Sequence, residues 1–361
     1  MRIAQLAPTY ERVPPIGYGG TELVVHLLTE ALVRRGHEVT LYAAGDSSTT
    51  AELRSVTPVA HRYGDPDALR HAEHLHLANA QACFVDAVEG RFDVIHNHAG
   101  LEGMVLAATS TTPVLTTNHN AYVGETAAIW DRYPWYHHAV SNAGTERLPA
   151  SGRLAAIHHG IDVGSFRFGA EGRGYLLFLG RFSPVKGATT AVEVARRSGR
   201  RLLLAGKVDP LDADHFSAEI EPWIDGETIR LVGEVGGDEK LELLAGADAL
   251  LFPIDWEEPF GLVMVEALAS GTPVIGFDRA SVPEIVGHGE TGFVVDDIDG
   301  MVRAIRQLGS ISRRACRRAA ETRFGVERMT IDYERAYEAI IGAGPAGRIV
   351  GQTAEGSPSV R

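Results

Sequence analysis

Short apolar runs of strand length alternate with helix-length amphipathic segments almost from end to end of the 361-residue chain. This is the pattern of parallel sheets joined by crossover helices. Residues 2–7 read as a strand, 14–20 as a Pro/Gly-rich turn, and the segment to about Arg35 as a helix. In that helix Val24, Leu27, Leu28, Ala31 and Leu32 share one face before Gly36 ends it. Buried strands are predicted next at 39–43, 94–96, 114–117 and 138–141. A second run repeats the scheme at 175–179, 201–205, 229–232, 249–252, 274–277 and 292–295. Between the runs, 163–174 is rich in glycine and lacks apolar periodicity, which marks a domain connection. The expected organisation is α/β: an N-terminal Rossmann-like domain over 1–165 and a second over 172–322, both doubly wound and facing across a cleft. Helical patterns at 313–322 and 326–341 close the ordered chain, and the Gly-, Ser- and Pro-rich 342–361 is expected to be disordered. Ligands of such sheets bind beyond the carboxyl ends of the strands where strand order reverses, so functional residues should follow strands directly.

The length is about twice that of a typical domain, which agrees with two cores. Hydrophobic residues at 45% and charged residues at 22% exclude disordered and fibrous classes. With 34 Lys plus Arg against 47 Asp plus Glu, the net charge of -13 gives no overall attraction to nucleic acid, and no nucleic-acid partner is expected. A local basic cluster, Arg313, Arg314, Arg317 and Arg318, reads as a solvated helix face, with contact to an anionic membrane surface left open. Cys83 and Cys316 make neither a disulfide framework nor a zinc pattern. No export signal and no apolar run of membrane-spanning length is visible, so a cytoplasmic chain is expected. Its oligomeric state has no sequence signal.

The stretch 255–269 follows the strand at 249–252. Pro259 suits the first turn of a helix, which puts Glu258 at the helix mouth and leaves the N–H groups of Phe260, Gly261 and Leu262 as donors for an anion or a sugar oxygen. Glu266 would lie two turns inside, among apolar residues, where an unpaired carboxylate is costly. Its partner is either a vicinal diol of a ribose or a structural cation. The stretch 178–187 also runs from a strand end toward a helix. Arg181 supplies a planar fork and Lys186 a mobile point charge, a match for a diphosphate. Gly17-Tyr18-Gly19-Gly20-Thr21 lets backbone approach a phosphate, and it lacks the Gly-x-Gly-x-x-Gly spacing of dinucleotide binders.

The histidines also invite a metal site. His96 and His98 fall on one side of a strand end, but no carboxylate or cysteine lies near in sequence to complete a ligand set, and none is expected to be metal-bound. From the residues alone His98 reads as a hydrogen-bonded strand-end histidine. His71, His74 and His76 read as a polar helix surface.

Together these stretches resemble the retaining family 4 glycosyltransferases of the GT-B fold, over roughly residues 1–341. The specific pieces are Glu258 and Glu266 at their Glu, seven residues, Glu spacing, Gly180-Arg181 with Lys186-Gly187, and the turn from Pro14 to Gly20. Gly160-Ile161-Asp162, Val282-Pro283-Glu284, Gly289 and Thr291-Gly292 support them, while His159 stands where the family commonly has Asn. The resemblance implies that Arg181 and Lys186 grip the donor diphosphate and that Glu266 holds the ribose. It further implies that Glu258 holds hydroxyls of the transferred sugar, helped by Phe260, Gly261 and Leu262, and that Gly19 and Gly20 close on the phosphates. His119 matches the histidine near the reacting sugar and joins Arg181, Lys186 and Glu258 as the catalytic set. Tyr18, His98 and Tyr122 fall in the acceptor region, and Val235 lies in a loop facing the base. The segment 323–341 would pack back on the N-terminal domain. The implied reaction moves a sugar from a UDP- or GDP-sugar to a hydroxyl acceptor with retention, without metal and with no cofactor beyond the nucleotide sugar itself. Competing expectations are a sugar-nucleotide epimerase, a glycosyl phosphorylase, or a non-catalytic nucleotide-sugar sensor.

Overall fold

A computed structural model describes residues 1–17, 19–61, 71–122, 124–133 and 135–344. The chain divides into two compact units, one of Met1–Ala139, Thr145–Ile157 and the chain from Thr330 onward, the other of Val140–Gly144 and His158–Met329. Residues 158–165, which glycine content assigned to the first half, therefore group with the second unit.

The first unit holds a parallel sheet of β1 (Arg2–Leu6), β2 (Glu38–Tyr42), β3 (Glu52–Arg54), β4 (Val94–Asn97), β5 (Val114–Asn118) and β6 (His137–Ala139), in the order β3-β2-β1-β4-β5-β6. The second holds β7 (Tyr175–Leu179), β8 (Arg201–Ala205), β9 (Ile229–Gly233), β10 (Ala249–Phe252), β11 (Val274–Phe277) and β12 (Gly292–Val295), in the order β12-β11-β10-β7-β8-β9. Both orders reverse once, at β1/β4 and at β7/β10, the topological switch point of a doubly wound sheet. Each sheet with its flanking helices makes a Rossmann-like unit, as the sequence pattern predicts.

Central strands are buried on both faces because crossover helices cover both sides, so β10 reads Ala-Leu-Leu-Phe without polar alternation. The predicted strands fall within a residue or two of their positions. The added strand, β3, is a short edge piece of Glu-Leu-Arg with no apolar run to announce it.

The last helix, Val326–Ala343, is two residues longer than its pattern suggested, so residues 342 and 343 of the predicted tail are helical. Residues 345–361 of that tail lie outside the described residues, as does Tyr18. Tyr333 and Tyr337 of this helix are fully buried in the first unit, where Tyr337 meets Gln5 and His96. Among the described residues, no helix is long and apolar enough to cross a membrane.

Candidate active site

In the second unit the two most informative stretches leave the neighbouring strands β7 and β10, on either side of the switch point. They are bound to each other. The Asp255 N–H donates to Val185 O at 2.8 Å, and Gly187, at φ 78°, passes so close that a Cβ there would lie 2.0 Å from Pro253 O. Only glycine combines that left-handed backbone with that approach. On this scaffold Lys186 Nζ reaches Glu258 Oε2 at 2.5 Å. The Trp256 indole N–H donates to the same oxygen at 2.8 Å, and the ammonium stands 4.4 Å from the centre of the Trp256 ring. The side chains are 16% and 11% exposed, so water screens this ion pair only in part. Arg181 is half-buried two residues past β7, between Gly180 N–H, which donates to Ala205 O, and Phe182 N–H, which donates to Lys207 O.

The helix after this loop is Leu262–Ala269, with Gly261 as its N-cap at φ 80°. Pro259 therefore does not open the helix, as its sequence position suggested. It precedes the cap, because Gly261 rather than Pro259 supplies the left-handed turn into the helix. The Phe260 side chain is 2% exposed, and its carbonyl accepts from Ser281 Oγ at 2.9 Å. Leu262 begins the helix, where first-turn N–H groups have no intrahelical acceptor.

Glu266 is 4% exposed, and Lys240 Nζ meets its Oε1 at 2.7 Å. The structural-cation alternative is the one realised within the chain. Lys240 belongs to the helix Gly237–Gly246, which starts just past Val235. Val235 itself is half-buried against the hydrophobic core. Nothing in sequence points from Lys240 to Glu266, since 26 residues and a full strand separate them. The structure thus joins Lys186 to Glu258 and places Phe260, Gly261 and Leu262 on the same loop, while Glu266 answers to a different lysine.

In the first unit Gly19 is the N-cap and Gly20 the first residue of the helix Gly20–Arg34. The neighbouring Thr21 and Glu22 line a pocket of about 390 Å³ together with Tyr10, His98, Glu102 and His119. His119 Nε2 lies 2.9 Å from His98 Nδ1, and His98 Nε2 lies 2.8 Å from Gln5 Oε1. Burial, reinforced by nearby His138, lowers the His119 pKa to about 3, so the ring is neutral at ordinary pH. Tyr122 turns to its own segment, its hydroxyl donating to Ala127 O and to Asp131, each at 3.2 Å.

His76 does not belong to a polar helix surface. It is 2% exposed, bonded to Thr9 and to Ala99 O, because it sits on the buried face of the helix Ala72–Val88. Among the described residues no group of three or more His, Cys, Asp or Glu side chains is placed to hold a metal ion.

Two other sequence features serve architecture. The Glu284 carboxylate accepts from the N–H groups of Asn142 and Ala143, both at 2.7 Å, and meets His158 Nε2 at 2.9 Å. Burial alone would raise its pKa, but these contacts outweigh it and bring the pKa down. The basic cluster is not a solvated face throughout. Arg313 donates to the carbonyls of Gly169, Ala245 and Ala247, and Arg317 to those of Phe166 and Ala269, which lie in loops and at helix ends where carbonyls need donors from elsewhere.

Comparison with known proteins agrees with the fold. Residues 18–164 match the model of Glycosyltransferase Family 4, and residues 165–323 match that of Glycosyl transferases group 1. The chain belongs to the family 4 glycosyltransferases and is an enzyme of that kind. It is 27% identical to the phosphatidyl-myo-inositol mannosyltransferase of Mycolicibacterium smegmatis, over 95% of each chain. It also resembles the crystal structure of AviGT4, a glycosyltransferase involved in avilamycin A biosynthesis, with a TM-score of 0.73 at 27% identity, over 95% of this chain and 99% of that one. The structure of Anabaena Alr3699/HepE in complex with UDP shares the fold, with a TM-score of 0.70 at 18% identity, over 94% of this chain and all of the other.

Proposed function

We propose that this glycosyltransferase takes its sugar from a nucleoside diphosphate sugar and passes it to a hydroxyl acceptor with retention of anomeric configuration and without a metal ion. The observation that carries the reading is the cationic, polar loop pair at the β7/β10 switch point, where Lys186, Glu258 and Trp256 meet beside the N-terminus of the 262–269 helix. An ammonium has three N–H donors, so the Glu258 contact leaves Lys186 able to bind phosphate oxygens, with Arg181 as the second cation. These fixed charges and the helix N-terminus stabilise charge growing on the departing diphosphate, the task a metal would otherwise perform. Glu266 gives one oxygen to Lys240 and has acceptor capacity left for ribose hydroxyls. The UDP held by HepE supports a nucleoside diphosphate as the leaving group.

Retention by double displacement needs a carboxylate free to attack the anomeric carbon. Glu258 is held by Lys186 and Trp256, which suits holding sugar hydroxyls better than attack. Front-face substitution follows, in which the departing phosphate oxygen receives the acceptor proton. His119 lies beside the transferred sugar in this scheme.

Product analysis tests the reading. With a turned-over nucleotide sugar, free nucleoside diphosphate and a glycoside of unchanged anomeric configuration are expected, undiminished by EDTA. Inverted product, or loss of activity in EDTA restored by Mn²⁺ or Mg²⁺, would contradict it. An epimerised donor without acceptor consumption, or a sugar phosphate product, would point to the rival chemistries.

A further inference from the structure

We propose that Trp256 is the positioning residue of the donor-sugar carboxylate. Its indole N–H keeps Glu258 aimed while Lys186 turns to the diphosphate, so Trp256 governs affinity for the sugar of the donor and not for the nucleotide. This role rests on the reading of Glu258 as the holder of the transferred sugar's hydroxyls.

Glu258 Oε2 takes two donors of different kinds, the Lys186 ammonium at 2.5 Å and the Trp256 indole N–H at 2.8 Å. The ammonium is the one for which a donor substrate competes. A diphosphate carries more negative charge than one carboxylate, and Lys186 ends in a point charge on a flexible four-carbon stem, so the ammonium is drawn toward phosphate oxygens. It already stands 4.4 Å from the centre of the Trp256 ring, a favourable place for a cation that does not depend on Glu258.

Nothing in that exchange pulls on the indole. Trp256 is half-buried against the hydrophobic core of the second unit. The residue before it is fixed twice, with Asp255 N–H donating to Val185 O at 2.8 Å and its carboxylate paired with Arg279. Trp256 and Glu258 are also joined through the backbone, since Glu258 N–H donates to Trp256 O at 3.0 Å. Each residue therefore donates to the other, one from its backbone and one from its side chain, and this closed ring directs the Glu258 carboxylate without help from Lys186.

The carboxylate depends on that ring. The Glu258 side chain is 11% exposed, and among the described residues Lys186 and Trp256 are its only side-chain donors. Once the ammonium is drawn off, loss of the indole N–H would leave a largely buried carboxylate with no fixed donor, and it would swing toward water. With the N–H present, Oε2 stays on the indole and Oε1 accepts a sugar hydroxyl. Phenylalanine at this position keeps an aromatic face against the core and toward Lys186, so Trp256→Phe removes the N–H with little else.

Calorimetric titration with UDP and GDP, and with UDP-glucose, UDP-N-acetylglucosamine and GDP-mannose, gives the ratio of nucleotide-sugar affinity to nucleotide affinity. Trp256→Phe should lower that ratio roughly 10-fold for the best-bound donor and change UDP or GDP affinity less than about 2-fold. In a Glu258→Ala background the same substitution should move the ratio less than about 2-fold, because Trp256 acts through that carboxylate. Proton–nitrogen NMR of the indole groups supplies a reading that needs neither a sugar nor a Trp256 variant. The Trp256 N–H, assigned by its displacement in Glu258→Ala, should stay protected from solvent exchange when UDP or GDP saturates the parent protein, and also in Lys186→Ala. An unchanged ratio in folded Trp256→Phe, an equal loss of UDP or GDP affinity, an undiminished effect in the Glu258→Ala background, or an indole proton released by nucleotide would overturn the proposal. A parent protein that binds neither UDP nor GDP would instead sink the functional reading, and this role with it.

Discussion

Glu266 and Glu193 both pair with a cation, but in surroundings that give the pairs different worth. Glu266 has only 5% of its side chain exposed and depends on Lys240, whereas Glu193 and Arg197 meet on an exposed helix face at i,i+4 spacing. Removing the cation in Lys240→Ala strands a buried carboxylate and should cost about 1–3 kcal/mol of unfolding free energy. Arg197→Ala should cost about 0.5 kcal/mol or less, as exposed pairs do. Urea denaturation of the two variants compares them, and equal losses would mean that Glu266 does not rely on Lys240. The same carboxylate is proposed to hold the donor ribose. Glu266→Gln should therefore weaken nucleoside diphosphate binding roughly 10-fold or more by calorimetry, and unchanged affinity would remove Glu266 from the donor site.

At the scale of elements, the loop pair after β7 and β10 depends on one backbone approach. Gly187→Ala places a methyl group against Pro253 O and forces a left-handed conformation on alanine. The loops must separate or strain, at a cost of about 2 kcal/mol or more. A denaturation midpoint equal to that of the parent protein would show that the approach is not tight. This element-level arrangement was partly legible beforehand. Leu176-Leu177 and Leu250-Leu251 announce doubly covered strands by composition alone, and Lys186 and Glu258 follow such strands at a few residues' distance. Helix entry was less readable, because Pro259 and Gly261 compete as start signals and only the backbone angle at Gly261 decides between them. Partners far away in sequence left no trace. Lys240 stands 26 residues from Glu266, and Tyr337 stands 332 from Gln5, so no periodicity links them. His71 and His74 beside it make His76 read as polar surface, while its hydrogen bonds to Thr9 and Ala99 allow it to lie inside.

At the scale of the whole molecule, the buried histidines tie stability to pH. His96, His119 and His138 all have folded-state pKa values below the ordinary 6.5, two of them at about 3 and about 4. Protons therefore enter the unfolded chain first as pH falls. Their contribution is complete above about pH 6.5 and is lost progressively as pH drops toward the folded values, by up to about 1.4 kcal/mol per pH unit for each histidine. Glu284 and Glu334, whose pKa values are lowered from 4.5, lose their contribution only at lower pH, so the interval from pH 6.5 to 5 isolates the histidines. Urea midpoints should fall steadily across that interval, and a flat or rising trend would contradict neutral burial of these rings.

The donor site itself is tested most directly by calorimetric titration of the parent protein and Lys186→Ala with UDP and with GDP. At least one nucleoside diphosphate should bind the parent, and that affinity should fall roughly 10- to 100-fold in the variant, the loss of a charge-assisted contact of about 1.5–3 kcal/mol. Binding of neither nucleotide, or equal affinity in both proteins, would show that the loops after β7 and β10 do not hold a nucleotide sugar.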